Sequence, residues 1–200
     1  MIVSQNFQPK RAKNDRLPPG QYETKGFPVL SLGPAPRLTT EQWQLEISGL
    51  VTEPQTWNWE SFQKLTHTDV TKDIHCVTKW SKFDTKWQGV LLDEIIRLAG
   101  VKPQATHIIA SSADGYTTNL PIKDLIDGQA MVADSYDSQP ITNEHGGPAR
   151  LLVPHLYFWK SAKWLIKIEF TDHDQPGFWE TRGYHNYGDY SKEQRYSFDN

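Results

Sequence analysis

After residue 40, loops carrying Gly, Pro, Asp and Asn separate nearly every periodic segment from the next, and this punctuation constrains the fold more than any other feature. It leaves room for short elements only. Trp43, Leu45 and Ile47 alternate with Gln44 and Glu46 ahead of Gly49, the pattern of a half-buried strand. Residues 107–110, 130–136, 151–153 and 164–170 also read as strands, the last with Trp164, Ile166, Ile168 and Phe170 alternating against Lys167 and Glu169. Two segments read as helices. Asn58 can cap one that carries Trp59, Phe62 and Leu65; Leu91, Leu92, Ile95 and Ala99 repeat at helical spacing up to Gly100, with Pro103 beyond. Strands outnumber helices, and no repeat or composition shift divides the chain after residue 40. The expectation is one α+β domain over residues 41–200, with mixed sheets and short helices.

Residues 1–40 hold Pro9, Pro18, Pro19, Pro28, Pro34 and Pro36 with Gly20, Gly26 and Gly33, which excludes helix and predicts an extended N-terminal arm packed on that domain. Met1 to Arg16 is polar and basic with no apolar core, so neither a secretory signal nor a twin-arginine leader is expected.

Two hundred residues suit a single core. With 21 Lys plus Arg against 24 Asp plus Glu, the formal charge of -3 offers no positive field for nucleic acid or acidic lipid, and a small oriented ligand is the expected partner. The longest apolar stretch, 151–159, is broken by Pro154 and His155 and is shorter than the ~18 residues a membrane span needs. The single cysteine cannot form an internal disulfide and suits a reducing compartment, so a soluble cytoplasmic protein is expected. Eight each of Trp, Tyr and Phe in a chain of mean hydropathy -0.64 imply rings that pack on one side and hydrogen-bond on the other.

Several short constellations carry possible chemistry. In DIHCVTKW, Cys76 sits beside His75 and three residues before Lys79; nearby cations lower a thiol pKa, and the thiolate is the form that ligates soft metals or attacks electrophiles. A buried cysteine acting as a small hydrophobe fits the same residues. In EHGGPAR, His145 and Arg150 flank a Gly-Gly-Pro turn where backbone N–H groups can approach an anion and Arg150 offers a bidentate fork; a tight turn with solvated charges fits equally. In YFWKSAKW, Lys160 and Lys163 could present cations to an anion or lie exposed on an aromatic hairpin. Tyr116, after the Asp114-Gly115 turn, could donate to a substrate oxyanion. The aromatic tail from Pro176 to Tyr196 must pack on something, and no chemistry is assigned to it. A zinc site has no paired-cysteine or His-Glu-x-x-His motif behind it.

Taken together, DIHCVTKWS, KWQGV, DGYTTNLP, EHGGPARLLVP and LYFWKSAKW stand in the order found in the molybdopterin-binding domain of sulfite oxidase-like proteins. The chain most resembles that family's short cytosolic bacterial branch, whose members also carry the FWE, GYH and QRY tail. The resemblance implies an α+β sulfite oxidase-type fold holding molybdenum–molybdopterin, with Cys76 as the protein thiolate on the metal. It places His145 and Arg150 at the pterin phosphate, Ser161, Ala162 and Lys163 in the turn that cradles it, and Leu30, Ser31 and Ser112 at pterin-contact positions. Tyr116 falls on the tyrosine that stands over the metal, with Lys79 and His75 as further candidates for charge at the mouth.

Two departures qualify the activity. The Ala-Gly-Asn-Arg run that follows the cysteine in sulfite oxidases, and supplies an arginine for sulfite, is missing after Cys76. The Cys-Val-x-x-Trp-Ser loop instead resembles the catalytic subunit of the periplasmic methionine sulfoxide reductase system. The resemblance therefore implies oxygen-atom transfer to or from a small S-oxide, N-oxide or sulfite-like substrate, with electrons exchanged with a separate partner. A catalytically degenerate pterin-binding module and a metal-free cysteine-nucleophile enzyme stand as alternatives.

Overall fold

The computed structural model describes residues 16–199. In chain order its strands are β1 (Tyr22–Glu23), β2 (Gln44–Gly49), β3 (Gln55–Asn58), β4 (His67–His75), β5 (Trp80–Leu91), β6 (His107–Ser112), β7 (Thr117–Pro121), β8 (Met131–Tyr136), β9 (Gln139–Pro140), β10 (Arg150–Leu152) and β11 (Leu165–Thr171), with helices α1 (Trp59–Phe62) and α2 (Leu92–Ala99). They build two sheets and an α+β fold. One sheet runs β3-β2-β11-β6-β7; the other runs β1-β5-β8-β10, with β4 also paired to β5 and β9 to β8.

The five-stranded sheet follows from the alternations. Trp43, Leu45 and Ile47 are fully buried, as are Leu165, Ile168 and Phe170 of the central strand β11, which runs parallel to β2 and antiparallel to β6. Each such side chain contributes about 1.5–3 kcal/mol by leaving water. The alternation in β11 differs from the expected one at its start. Trp164 lies before the strand with φ 47°, and a bulge after Leu165 resets the register, so Leu165 rather than Ile166 faces the core.

Asn58 caps α1 by accepting the Ser61 N–H at 2.9 Å, but the helix is one turn, Trp59–Phe62, and Leu65 packs on the core from beyond its end. α2 closes at Gly100 in the left-handed region (φ 58°), where a side chain would also strike Thr52 Oγ1 at 2.1 Å.

The largest element absent from the sequence reading is the β4–β5 hairpin. β4 carries His67, Thr68, Asp69, Thr71, Lys72 and Asp73, polar on both faces, and β5 buries Ser81, Thr85 and Trp87, with Val90 near its end as its one fully buried aliphatic. Neither displays apolar alternation. The hairpin turn is residues 76–79: Cys76 N–H donates to Trp80 O at 2.9 Å and Lys79 N–H to Cys76 O at 3.0 Å. The cysteine therefore stands at the tip of the longest hairpin.

Of the arm, residues 1–15 lie outside the described residues. Beyond them, Arg16 pairs with Asp73 at 2.5 Å and Asp84 at 2.8 Å, β1 adds to the edge of β5, and Gln21 Nε2 donates to Cys76 O at 3.1 Å. The arm thus contributes a strand and braces the cysteine turn.

Candidate functional site

Six separate chain segments converge on a cavity of about 270 Å3. The hairpin tip brings Cys76, Val77, Thr78 and Trp80; the β6–β7 turn brings Ser112, Asp114 and Tyr116. His145 and Arg150 come from the Gly-Gly turn entering β10, and Phe158, Trp159, Ser161, Lys163 and Trp164 from the connection to β11. The arm adds Phe27, Pro28, Leu30, Ser31 and Leu32, and the tail adds Trp179 and Tyr184.

Cys76 is buried at the wall, and Thr78 Oγ1 donates to its sulfur at 3.1 Å. Burial pushes the thiol pKa up, while the Thr78 hydroxyl and the backbone N–H groups of Thr78 and Val77 pull it back. No cation does so, which corrects the expected roles of His75 and Lys79. Adjacent residues of an extended chain point to opposite sides, and His75 points away from the cavity: its Nδ1 bonds Ser81 Oγ at 2.8 Å and its ring packs on Tyr190 at 4.0 Å. Burial lowers its pKa to about 4, so the ring is neutral near pH 7. Lys79 is exposed, has φ 77° in the turn, and is not among the lining residues.

The opposite requirement holds at Arg150, which is 1% exposed. Its Nη1 donates to His145 O at 2.6 Å and its Nη2 to Ser161 O at 2.8 Å, while Phe158 covers the guanidinium at 4.3 Å. The fork expected for phosphate is committed to backbone carbonyls, so Arg150 supplies charge and a brace. Burial brings its pKa down to about 9, which leaves it protonated near pH 7. Among the described residues no carboxylate pairs with it. Among the described residues, Lys163 Nζ likewise donates to two carbonyls, Leu30 O at 2.7 Å and Glu144 O at 2.6 Å; burial, then the Arg150 charge, lowers its pKa to about 8.

Gly146 (φ 99°) lets the turn lie against Lys163, whose Cβ would be 2.8 Å from an added side chain. Ala162, expected in the phosphate turn, is buried behind the cavity wall, where its carbonyl accepts Leu151 N–H at 2.8 Å.

The two lysines of YFWKSAKW are split. Lys160 is buried beneath the wall and pairs with Glu180 at 2.6 Å, both side chains 1% exposed. Glu180 also accepts from Trp159 Nε1 at 2.9 Å and Thr118 Oγ1 at 3.2 Å, so the tail is pinned under the cavity. Tyr116 donates its hydroxyl to Trp159 O at 2.6 Å.

Phe27, Trp159, Trp179 and Tyr184 have no counterpart in the sequence reading. The tail's dense aromatics were the available signal, but without periodicity they could not be placed on the cavity.

Two observations test what the cavity can hold. Among the described residues, two buried or half-buried cations, Arg150 and Lys163, form no ion pair, and three cavity-lining polar atoms (Ser112 Oγ, His145 Nδ1 and Trp80 Nε1) are buried without a hydrogen-bond partner. Such groups are costly unless a ligand satisfies them. At the other side stands one soft thiol, and no cluster of three metal-ligating side chains occurs among the described residues. A metal here must bring its other ligands with it, as a polar, anionic organic cofactor does. The fold and the lining of the site thus fit a protein that carries a metal on such a cofactor.

The comparisons agree. Residues 32–179 match the oxidoreductase molybdopterin binding domain. The chain is 43% identical over 188 residues to "Uncharacterized oxidoreductase YuiH" of Bacillus subtilis, covering 94% of this chain and 95% of that one. It is 31% identical over 147 residues to the "Putative protein-methionine-sulfoxide reductase subunit YedZ1" of Azospira oryzae, covering 73% of this chain and 55% of the relative. The fold is similar to that of the sulfane dehydrogenase SoxCD from Paracoccus pantotrophus, with TM-score 0.64 and 24% identity, over 70% of this chain and 41% of that one. The chain belongs to the sulfite oxidase-like family of molybdopterin-binding oxidoreductases. Its cofactor is molybdenum–molybdopterin.

Proposed function

We propose that the protein transfers an oxygen atom to or from a small S-oxide or N-oxide, with Cys76 as the metal's protein ligand and a separate redox protein exchanging the electrons. The observation that carries this reading is the buried Cys76 facing a cavity whose cations, Arg150 and Lys163, form no ion pair among the described residues. When bound, the cofactor supplies the two-electron redox chemistry and accepts or releases the oxygen atom.

The chain's residues bind and orient. Lys163 and the Ser161 turn meet the pterin phosphate, Arg150 holds the field positive, and His145 Nδ1 and Ser112 Oγ find partners on the pterin. Leu30 and Ser31 cover it from the arm. The burial that raises the Cys76 thiol pKa leaves the metal as the charge that stabilises the thiolate.

Val77, Thr78 and Trp80, the cavity residues following Cys76, are uncharged. That supports a neutral oxide over an anion such as sulfite, and a reductase is also what the Azospira relative is called. No helix among the described residues is long and apolar enough to cross a membrane, and with a single free thiol we place the enzyme in the cytoplasm.

The test is elemental analysis of wild type and Cys76→Ser from a host that makes molybdopterin, with turnover of dimethyl sulfoxide and trimethylamine N-oxide by a reduced dye. Wild type should carry near-stoichiometric molybdenum, and the serine variant should change the metal's spectrum and lose turnover. Wild type without molybdenum, but with a rapidly alkylated Cys76, would point to nucleophilic chemistry instead. Full loading with no turnover of any oxide would indicate a pterin-binding module.

A further inference from the structure

The backbone of Cys76 is pinned by three hydrogen bonds. Its N–H donates to Trp80 O at 2.9 Å, and its carbonyl accepts Lys79 N–H at 3.0 Å and Gln21 Nε2 at 3.1 Å. Lys79 closes the turn in the left-handed region (φ 77°) and lies outside the cavity lining, whereas Thr78 belongs to it. The sulfur is therefore held in one place, with a hydroxyl rather than an ammonium beside it.

Thr78 Oγ1 stands 3.1 Å from Cys76 Sγ, the one hydrogen bond to that sulfur among the described residues. In a free thiol either group can donate. With its proton replaced by a metal, the sulfur only accepts, so the Thr78 hydroxyl is the donor. The nearby cationic side chains do not share this role: His75 turns to Ser81 and Tyr190, and Lys79 is exposed.

Resting on the assignment of Cys76 as the metal's protein ligand, we propose that Thr78 raises the metal's reduction potential through the hydrogen bond from its hydroxyl to the Cys76 sulfur. Each electron delivered by the separate redox protein adds negative charge that spreads onto the sulfur, so the bond is stronger in the reduced state than in the oxidised one. No bond forms or breaks at Thr78, and the hydroxyl keeps its proton. A neutral donor does this without a charge that would draw an anion such as sulfite to the site, in line with the uncharged cavity residues Val77, Thr78 and Trp80. The consequence is that a redox partner of modest reducing power suffices. Thr78 acts through Cys76 and is a positioning residue.

The test is a potentiometric titration, followed by electron paramagnetic resonance, of cofactor-loaded wild type, Thr78→Val, Thr78→Ser and Cys76→Ser. Thr78→Val keeps the shape and removes the donor, and its equilibrium constant for one-electron reduction should fall about tenfold, which is about 59 mV. Thr78→Ser restores the hydroxyl and should stay within about threefold of wild type. The sulfur-to-metal charge-transfer band should move to longer wavelength in Thr78→Val alone, because a thiolate without its hydrogen bond gives up electron density more easily. Neither readout needs turnover, so both stand even if no oxide is reduced. Should Thr78→Val fail to load, Thr78→Ala carries the same expectation. An unchanged potential in Thr78→Val, or an equal fall in Thr78→Ser, would overturn the proposal, while an altered metal spectrum in Cys76→Ser leaves the ligand assignment standing. A metal spectrum unchanged in Cys76→Ser removes the ligand, and the proposal falls with it.

Discussion

Ile168 and Lys160 are equally sealed from water, at 0% and 1% exposure, but what surrounds them differs in kind. Ile168, in the centre of β11, belongs to the apolar core, and its contribution scales with the surface it buries. Lys160 lies behind the cavity wall with Glu180, Asn119 and Thr118 arranged around it, and each polar group there depends on the others. The sheet holds the scaffold together through area. The wall holds a shape through charge pairing, and it can be broken by removing one partner while the area stays the same.

That contrast sets the largest expected effect. Glu180→Gln preserves volume and an acceptor for Trp159 Nε1 but leaves the Lys160 ammonium buried without an anion, and should cost about 3–5 kcal/mol in denaturant unfolding. Adding Lys160→Met should restore stability to within about 1 kcal/mol of wild type, because a neutral pair needs no counter-charge. Ile168→Ala should cost about 2–5 kcal/mol, with no such rescue from a charge-neutralising partner. A Glu180→Gln variant that loses less than about 1 kcal/mol would erase the distinction between the two regions.

The next effect concerns pH. Lys163, whose folded pKa is lowered to about 8, is the cavity cation whose charge is lost first as pH rises. In the role proposed for it at the pterin phosphate, the protonated form is the one that binds, so cofactor retention should fall as pH climbs through about 8. The sign for folding is opposite: the folded state binds fewer protons than the unfolded one between about 8 and the ordinary lysine value of ~10.4, so this group's share of stability rises with pH in that window. Molybdenum content after dialysis from pH 7 to 9.5 tests the first statement. Lys163→Arg should hold the metal across that range; equal loss in both proteins would mean that Lys163 does not carry the phosphate.

The same contrast explains what could be read from the sequence. The strands of the five-stranded sheet declared themselves because Leu45, Ile47, Ile168 and Phe170 alternate with polar residues, and Gly100 marked the end of α2. Cys76, His145, Arg150 and Lys163 were legible as candidates because ordered motifs carried them. The failures fall where burial is polar or aromatic. β5 buries Ser81, Thr85 and Trp87; sequence adjacency sets His75 beside Cys76 though the two side chains point apart, and spacing alone makes Lys160 an exposed twin of Lys163. Tyr184 and Trp179 stayed hidden because an aperiodic tail gives no direction to its side chains until the Glu180–Lys160 pair fixes it.

The smallest expected effect tests whether the arm belongs to the wall or to the scaffold. Phe27 stacks on the His145 ring at 3.9 Å and 8°, and it also packs against Trp80 and Trp87. Phe27→Leu keeps an apolar side chain and removes the ring stack, at about 0.5–1.5 kcal/mol. If the arm opens independently of the core, that energy raises the open population about two- to twelvefold, and tryptic cleavage after Lys25 should accelerate by the same factor. The global unfolding midpoint should then move by less than about 2 °C, since the arm has already opened before the sheets separate. A midpoint that falls further while cleavage stays slow would make the arm part of the scaffold, with β1 and the Phe27 cluster unfolding only together with β5.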